Sequence, residues 1–400
     1  MYRILLIIAC LAYIIYGDCI VKLPEDIPKA EPLYLNTIRS GKQIKYSLIA
    51  PTNNTLRVKT NSLITLSCSG RRNFIFNTNR NFTTLLCRSG TIFQDESNYS
   101  VDIRQLNCTK IPESELRVSQ SKCAHNRGYI YKVGFNVFQN VFLTNFKICY
   151  DNKSENTFYS ENIINGAAIK YAVKESDRRV FKSDGMTKST SQINTLYTKS
   201  NQKAVFENLF GKHQNYINNS MFLSRGHLTP DADFIFSYEQ LSTYYYANVA
   251  PEFQSVNGGN WVRVENMVRT LAGDYGVNVQ VFTGYYDNLV LDNNDIYLDN
   301  MRKIEVPKWF YKVIKNMKTN AAIVVITLNN PFAKLREIRE FCPNICEKAS
   351  LHNKNFKNIK RGYTFCCEVG TFTRIVNDLP TNFTSNGLLN CAFADKLFDE

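Results

Sequence analysis

Cysteine placement constrains this chain more than any other feature of its sequence. Six cysteines lie between Cys19 and Cys149, five between Cys342 and Cys391, and none from Tyr150 to Phe341. In an oxidising compartment the two groups become covalent staples, and the long middle must stand on its own hydrophobic core. The compartment follows from the first residues. Arg3, an apolar run over 4–16 and then Gly17-Asp18 have the layout of a secretory signal peptide, so the mature chain is expected to begin near Asp18, without Cys10. That run is too short to span a bilayer, and no later stretch reaches the roughly eighteen apolar residues a spanning helix needs. Of twelve cysteines eleven remain, which allow at most five bridges and leave one over. Their connectivity is not readable. Cys342-x-x-x-Cys346 with Cys366-Cys367 raises zinc as an alternative, but the spacing departs from common ligand patterns and the compartment favours disulfides.

Secretion also agrees with glycan acceptor sequons at Asn53, Asn81, Asn98, Asn107, Asn152, Asn218 and Asn382. The net charge of +13 points to a polyanionic partner, although positive charge that merely aids solubility reads the same way. From Cys19 to about Lys132 the chain alternates like strands separated by Asn, Gly and Ser clusters, as in residues 62–67, and predicts a β-rich lobe. Further strands are expected over 132–138 and 141–150, and later over 277–283 and 321–328. Strands interleaved with helices in the second part indicate α+β. The resulting division is a signal peptide over 1–17, a β-rich lobe over 18–135 and a second domain over 136–400. Trp261, Val264, Val268 and Leu271 recur at i, i+3, i+7 and i+10, predicting an amphipathic helix entered through Gly258-Gly259 and left at Gly273. Long elements with basic polar positions are expected over 307–318 and 332–341. The run over 354–361 carries Lys354, Lys357, Lys360 and Arg361 among apolar side chains, a pattern that either tracks a phosphate backbone or is a solvated face.

Chemistry concentrates in Ser224-Arg225-Gly226-His227, then Asn248, then Asn257-Gly-Gly-Asn-Trp261, with Glu265 and Arg269 on the predicted helix. Singly each piece is weak, and His125, His213 and His352 offer other histidines. In order and spacing together they resemble the active site of the DNA/RNA non-specific endonucleases of the His-Me finger, or ββα-metal, superfamily, and most of all the secreted insect members. The resemblance runs over about 158–365. It implies a central antiparallel sheet flanked by helices, behind a β-rich, disulfide-containing lobe. It also implies a Mg²⁺-dependent reaction, or one using another divalent cation such as Mn²⁺, on DNA and RNA, double-stranded RNA included.

Within that resemblance the residue types fit their roles. His227 is the general base, because imidazole alone has an unperturbed pKa suited to deprotonating water near neutrality. Asn257 is the metal ligand, since magnesium keeps most of its waters and accepts one or two protein oxygens. Glu265 is expected to hold the ion's waters, against the alternative of an i, i+4 surface pair with Arg269. Arg225 and Arg269 would place fixed positive charge at the scissile phosphate, and Asn248 would orient substrate or the metal's waters. A further substrate arginine is expected within Arg178-Arg179-Val-Phe181, at Arg179. Asp233 and Tyr246 read as packing residues. Two positions depart from the pattern: Ser224 stands where several relatives carry Asp, and Glu252 where many carry Gln, an extra carboxylate expected to repel substrate phosphate. A rival reading is a secreted, for example salivary, protein that binds nucleic acid and hydrolyses it weakly. A structural glycoprotein is the more distant one.

Overall fold

Alternating and fully apolar runs build a molecule dominated by antiparallel sheet. The computed structural model describes residues 17–40, 43–137, 141–175, 179–351 and 353–391, so the expected signal peptide, but for Gly17, and Arg178 lie outside the described residues. In the N-terminal part, β1 (Cys19–Lys22) pairs with β4 (Thr55–Val58). A six-stranded sheet is formed by β2 (Leu33–Ser40), β3 (Gln43–Leu48), β5 (Leu63–Ser67), β6 (Phe82–Ser89), β7 (Ile92–Gln94) and β8 (Ser100–Asp102), in the order β3-β2-β5-β6-β7-β8. Its inward positions, among them Leu33, Leu35, Ile64, Leu66 and Phe93, are fully buried, and disulfides Cys19–Cys87 and Cys68–Cys108 close it.

The second sheet has eight strands: β9 (Glu115–Cys123), β10 (Gly128–Val137), β11 (Val141–Asp151), β12 (Asn156–Ile164), β15 (Val279–Asn288), β18 (Pro307–Asn316), β19 (Ala322–Leu328) and β20 (Thr364–Cys367). Their order is β20-β19-β18-β15-β12-β11-β10-β9. Between β12 and β15 the chain forms helices α1 (Thr190–Leu196) and α2 (Lys199–Phe210), a separate two-stranded ribbon of β13 (Leu223–His227) and β14 (Val249–Phe253), and α3 (Ser237–Leu241) between those strands. Next come α4 (Gln254–Val256) and α5 (Val262–Tyr275), and after β15 the short hairpin of β16 (Val290–Leu291) and β17 (Asn294–Asp295). The boundary expected after residue 135 falls inside β10. The strands at 115–137 alternate like those of the first lobe, and only their pairing with β11 assigns them to the larger sheet.

Helix α5 packs Val264, Met267, Val268, Leu271 and Ala272 onto one face of this sheet, against Val279, Val281, Ile314, Ile323 and Val325. The opposite face is covered by the C-terminal chain, with Phe372, Val376 and Leu379 and the one-turn α6 (Val369–Phe372). Disulfides Cys123–Cys149, Cys342–Cys367 and Cys346–Cys366 complete the five pairs, and buried Cys391 is the one left over. The four cysteines for which zinc was the alternative are all in disulfides, as expected for an oxidising compartment.

Two further expectations are corrected. Helix α5 ends at Gly276, whose left-handed φ of 60° suits a glycine cap, and Gly273 lies inside the helix. Residues 332–341 form no long element but a 3-10 turn, Leu335–Glu337, in otherwise irregular chain, although Phe332, Leu335, Ile338 and Phe341 recur every third position.

Candidate active site

The β13–β14 ribbon pairs Leu223 with Phe253 and His227 with Val249, so His227 is the last residue of its strand and its ring projects where the ribbon opens. That ring packs against Phe181 and Tyr244, at centroid distances of 5.1 and 5.2 Å, and those two rings lie 5.0 Å from each other, so the three form one cluster. The aromatic cluster restricts the imidazole's rotamers, as a proton acceptor requires. Next to it a Cβ on Gly226 would meet the Glu252 carboxylate at 2.3 Å, so only glycine lets these strands pair with Glu252 folded between them.

From β14 the chain passes through α4 into a kinked turn, Asn257–Trp261, where Gly259 leaves helical backbone (φ −101°, ψ −119°), and then into α5. Here the turn brings Asn257 beside Ser224. The Ser224 hydroxyl donates to the Glu252 carbonyl at 2.9 Å, so its oxygen accepts from Asn257 Nδ2 at 3.0 Å. Committing the amide nitrogen to Ser224 leaves Asn257 Oδ1 available to the cleft. Eight residues later Glu265 lines the same cleft, which has a volume of about 710 Å³ and is also walled by Arg179, Phe181, Arg225 and His227. Among the described residues no three His, Cys, Asp or Glu side chains converge as a metal cage. The Asn257 amide oxygen and the Glu265 carboxylate on one cleft are a donor set that fits a hard divalent ion keeping most of its waters.

Arg225 is held by hydrogen bonds from Nε to the Tyr246 hydroxyl (3.2 Å) and from Nη2 to Asn194 Oδ1 (3.0 Å), with its guanidinium 4.9 Å from the Tyr197 ring centre. All these partners are neutral, so its charge stays available to an anion. Burial pushes the Glu265 carboxyl up to about 7, partly offset by the nearby charges of Lys312 and Arg269.

A family model described as DNA/RNA non-specific endonuclease matches residues 126–372. The chain belongs to that family. Salivary protein Tsal1 of Glossina morsitans morsitans is 33% identical over 379 residues, 93% of this chain and 94% of the relative. A salivary endonuclease of Lutzomyia longipalpis is 31% identical over 366 residues, 89% of this chain and 83% of the relative. A chain from the crystal structure of the EndoG/EndoGI complex shares 17% identity over 60% of this chain and 84% of its own, with a TM-score of 0.35, too distant to carry an argument.

In this chain, five of the seven residues expected from sequence line one cleft: Arg179, Arg225, His227, Asn257 and Glu265. Two do not. Asn248 is fully buried, and its amide accepts from Thr229 N (3.0 Å) and donates to the carbonyls of Thr229 and Thr243 (2.8 and 2.9 Å). With its polar atoms so used, it fixes the loop after His227 instead of meeting substrate. Arg269 is ion-paired with buried Asp233 at 3.0 Å, so its charge is neutralised there, and Glu265 is not its salt-bridge partner. Glu252 also departs from expectation. It is wholly buried behind the ribbon, and burial, with Glu265 nearby, raises its carboxyl well above the ordinary range. Burial thus disfavours its charged form, and its side chain lies away from the cleft.

Lys312 escaped the sequence reading. Fully buried on β18, it donates to the carbonyl of Leu228 (3.2 Å) and the hydroxyl of Thr283 (2.8 Å), bracing the residue after His227. A signal was present: Lys312 stands between Tyr311 and Val313 in the apolar middle of a strand whose other lysines, Lys308 and Lys315, lie toward its ends, and an unpaired charge is too costly to bury there.

Proposed function

We propose that this protein is a secreted endonuclease of the His-Me finger type that hydrolyses phosphodiester bonds of DNA and RNA, double-stranded RNA included, with a divalent cation and without sequence preference. The observation that carries the reading is the convergence of His227, Asn257 Oδ1, Glu265 and an uncompensated Arg225 on one cleft. His227 removes a proton from the attacking water. Arg225 holds a non-bridging phosphate oxygen, and its three neutral supports keep the guanidinium oriented while charge builds on phosphorus. Asn257 offers its amide oxygen to Mg²⁺ or Mn²⁺, and ionised Glu265 binds waters of that ion. When bound, the ion stabilises charge on the phosphorane-like transition state and on the leaving 3′ oxygen. Arg179, exposed at the cleft's edge, guides the incoming backbone. Contacts of this kind reach phosphates and not base edges, which supports cutting without sequence preference. The signal-like N-terminus, the disulfides and the salivary relatives support secretion.

The test is degradation of plasmid DNA and double-stranded RNA by the purified protein with Mg²⁺ and with EDTA. Metal-dependent loss of both substrates is expected. Intact polymers in Mg²⁺ would overturn the reading.

A further inference from the structure

We propose a second polyanion-binding surface, on the face of the eight-stranded sheet opposite the cleft, that holds the phosphate backbone of a polynucleotide. The choice of occupant rests on the nuclease reading above. Along β18, Lys312 and Ile314 face α5 and the cleft, whereas Trp309, Tyr311, Val313 and Lys315 point the other way. On that second face strand register sets basic residues side by side. Lys132 stands directly opposite Arg117 of β9 and Lys147 of β11, Lys147 opposite Glu161 of β12, and Gln280 of β15 opposite Lys315. A cavity of about 750 Å³ opens here, lined by Lys122, Lys132, Lys147 and Lys315.

Charge compensation across this row is incomplete. Lys147 pairs with Glu161 at 3.2 Å, and Gln280 donates to the same carboxylate at 2.9 Å. Lys122 and Lys315 lie 5.4 and 5.1 Å from the ring centres of Tyr129 and Phe383. Among the described residues Lys122, Lys132 and Lys315 have no carboxylate within ion-pair distance, the only such contact in the cavity being that of Lys147. Lys132 stands between Arg117 and Lys147, which are ion-paired with Glu115 and Glu161, while Lys132 itself has no such partner among the described residues. Lys122 and Lys315 lie against aromatic rings and not against carboxylates, so a polyanion complements three ammonium groups around one cavity. Strands lie about 4.8 Å apart, so the row from β10 to β18 spans about 19 Å. That length meets several phosphates of one strand, at a rise of about 3.4 Å each. A long polymer held there stays with the enzyme between cuts, whereas a short oligonucleotide engages the cleft alone.

The experiment uses the enzymatically deglycosylated secreted protein, because the Asn382 sequon stands at the cavity's rim. Binding of a duplex of about forty base pairs is measured in EDTA across a salt series, for wild type, Lys132→Gln, and the triple variant Lys122→Gln, Lys132→Gln, Lys315→Gln. Each phosphate contact contributes about 0.9 to the slope of log affinity against log salt. The single variant is expected to lower that slope by about one, and the triple variant by about two to three with at least a tenfold loss of affinity at low salt. Cleavage of a hexanucleotide in Mg²⁺ should stay at the wild-type rate, which also reports that the variants fold. Unchanged slope and affinity in the triple variant overturn the proposal. So does loss of heparin binding with duplex binding retained, which assigns the face to a sulfated polysaccharide. Absence of hexanucleotide cleavage in wild type overturns the nuclease reading alone, since the salt slopes are read without turnover.

Discussion

The oxygen offered by Asn257 depends on a neighbour that the sequence pattern marks as a departure. Ser224 gives its proton to the Glu252 carbonyl and so accepts only from the Asn257 amide nitrogen. Ser224→Ala removes that orientation. A hydrogen bond contributes about 1 kcal/mol, so the Mg²⁺ concentration for half-maximal cleavage should rise about fivefold, with the saturated rate largely kept. A metal titration that overlays wild type would remove Ser224 from the account. Lys312 acts from below the cleft. Its charge holds the Glu265 carboxyl lower than burial alone would, and Glu265 has to be ionised to bind the ion's waters. Lys312→Met therefore raises the Glu265 pKa above about 7 and moves the rising limb of the pH–rate profile to higher pH. Loss of a charge from this buried network should also cost about 3 kcal/mol in denaturant unfolding. An unshifted limb would contradict the coupling.

At the scale of elements, the site depends on how the β13–β14 ribbon and α5 meet through the kinked turn at Asn257–Trp261. A Cβ on Gly259 in that turn would lie 2.5 Å from the Arg361 carbonyl oxygen, which belongs to backbone and cannot swing away. Gly259→Ala is expected to lower stability by about 1–3 kcal/mol and to reduce cleavage by displacing Asn257. Wild-type melting and activity together would show that the turn adapts. This junction also marks what the sequence made legible. Strand-like runs predicted β5, β10, β11 and β15, a continuous apolar run predicted β19, which is buried on both faces, and the apolar spacing from Trp261 predicted α5, whose apolar side chains share one buried face. Arg225, His227, Asn257 and Glu265, read from linear order, line one cleft, but linear order does not tell which wall a side chain occupies. Asn248 and Arg269 were therefore read as facing substrate, although they are bound to backbone carbonyls and to Asp233. The role of Lys312 lies across the sheet from the motif, beyond the reach of local spacing.

At the scale of the whole molecule, the two sheets are joined by buried polar contacts that titrate. Glu31, from the N-terminal part, is fully buried and accepts from Ser237 N at 2.6 Å, and burial pushes its carboxyl up to about 7 from the ordinary 4.5. A folded-state pKa above the unfolded one means that this contribution to stability is complete below about 4.5 and is lost as pH rises through about 7. At about 1.4 kcal/mol per unit, the loss by pH 8 is on the order of 3 kcal/mol. Glu31→Gln should flatten the fall in melting temperature between pH 5 and pH 8, and an unchanged slope would place the titration elsewhere. The central claim is that His227 acts on water and not on affinity. Its most direct test compares His227→Ala with wild type for cleavage of double-stranded RNA and DNA in Mg²⁺, and for binding of the same polymers in EDTA. The account predicts at least a hundredfold loss of cleavage with binding unchanged. A variant that retains a tenth of the wild-type rate would contradict it.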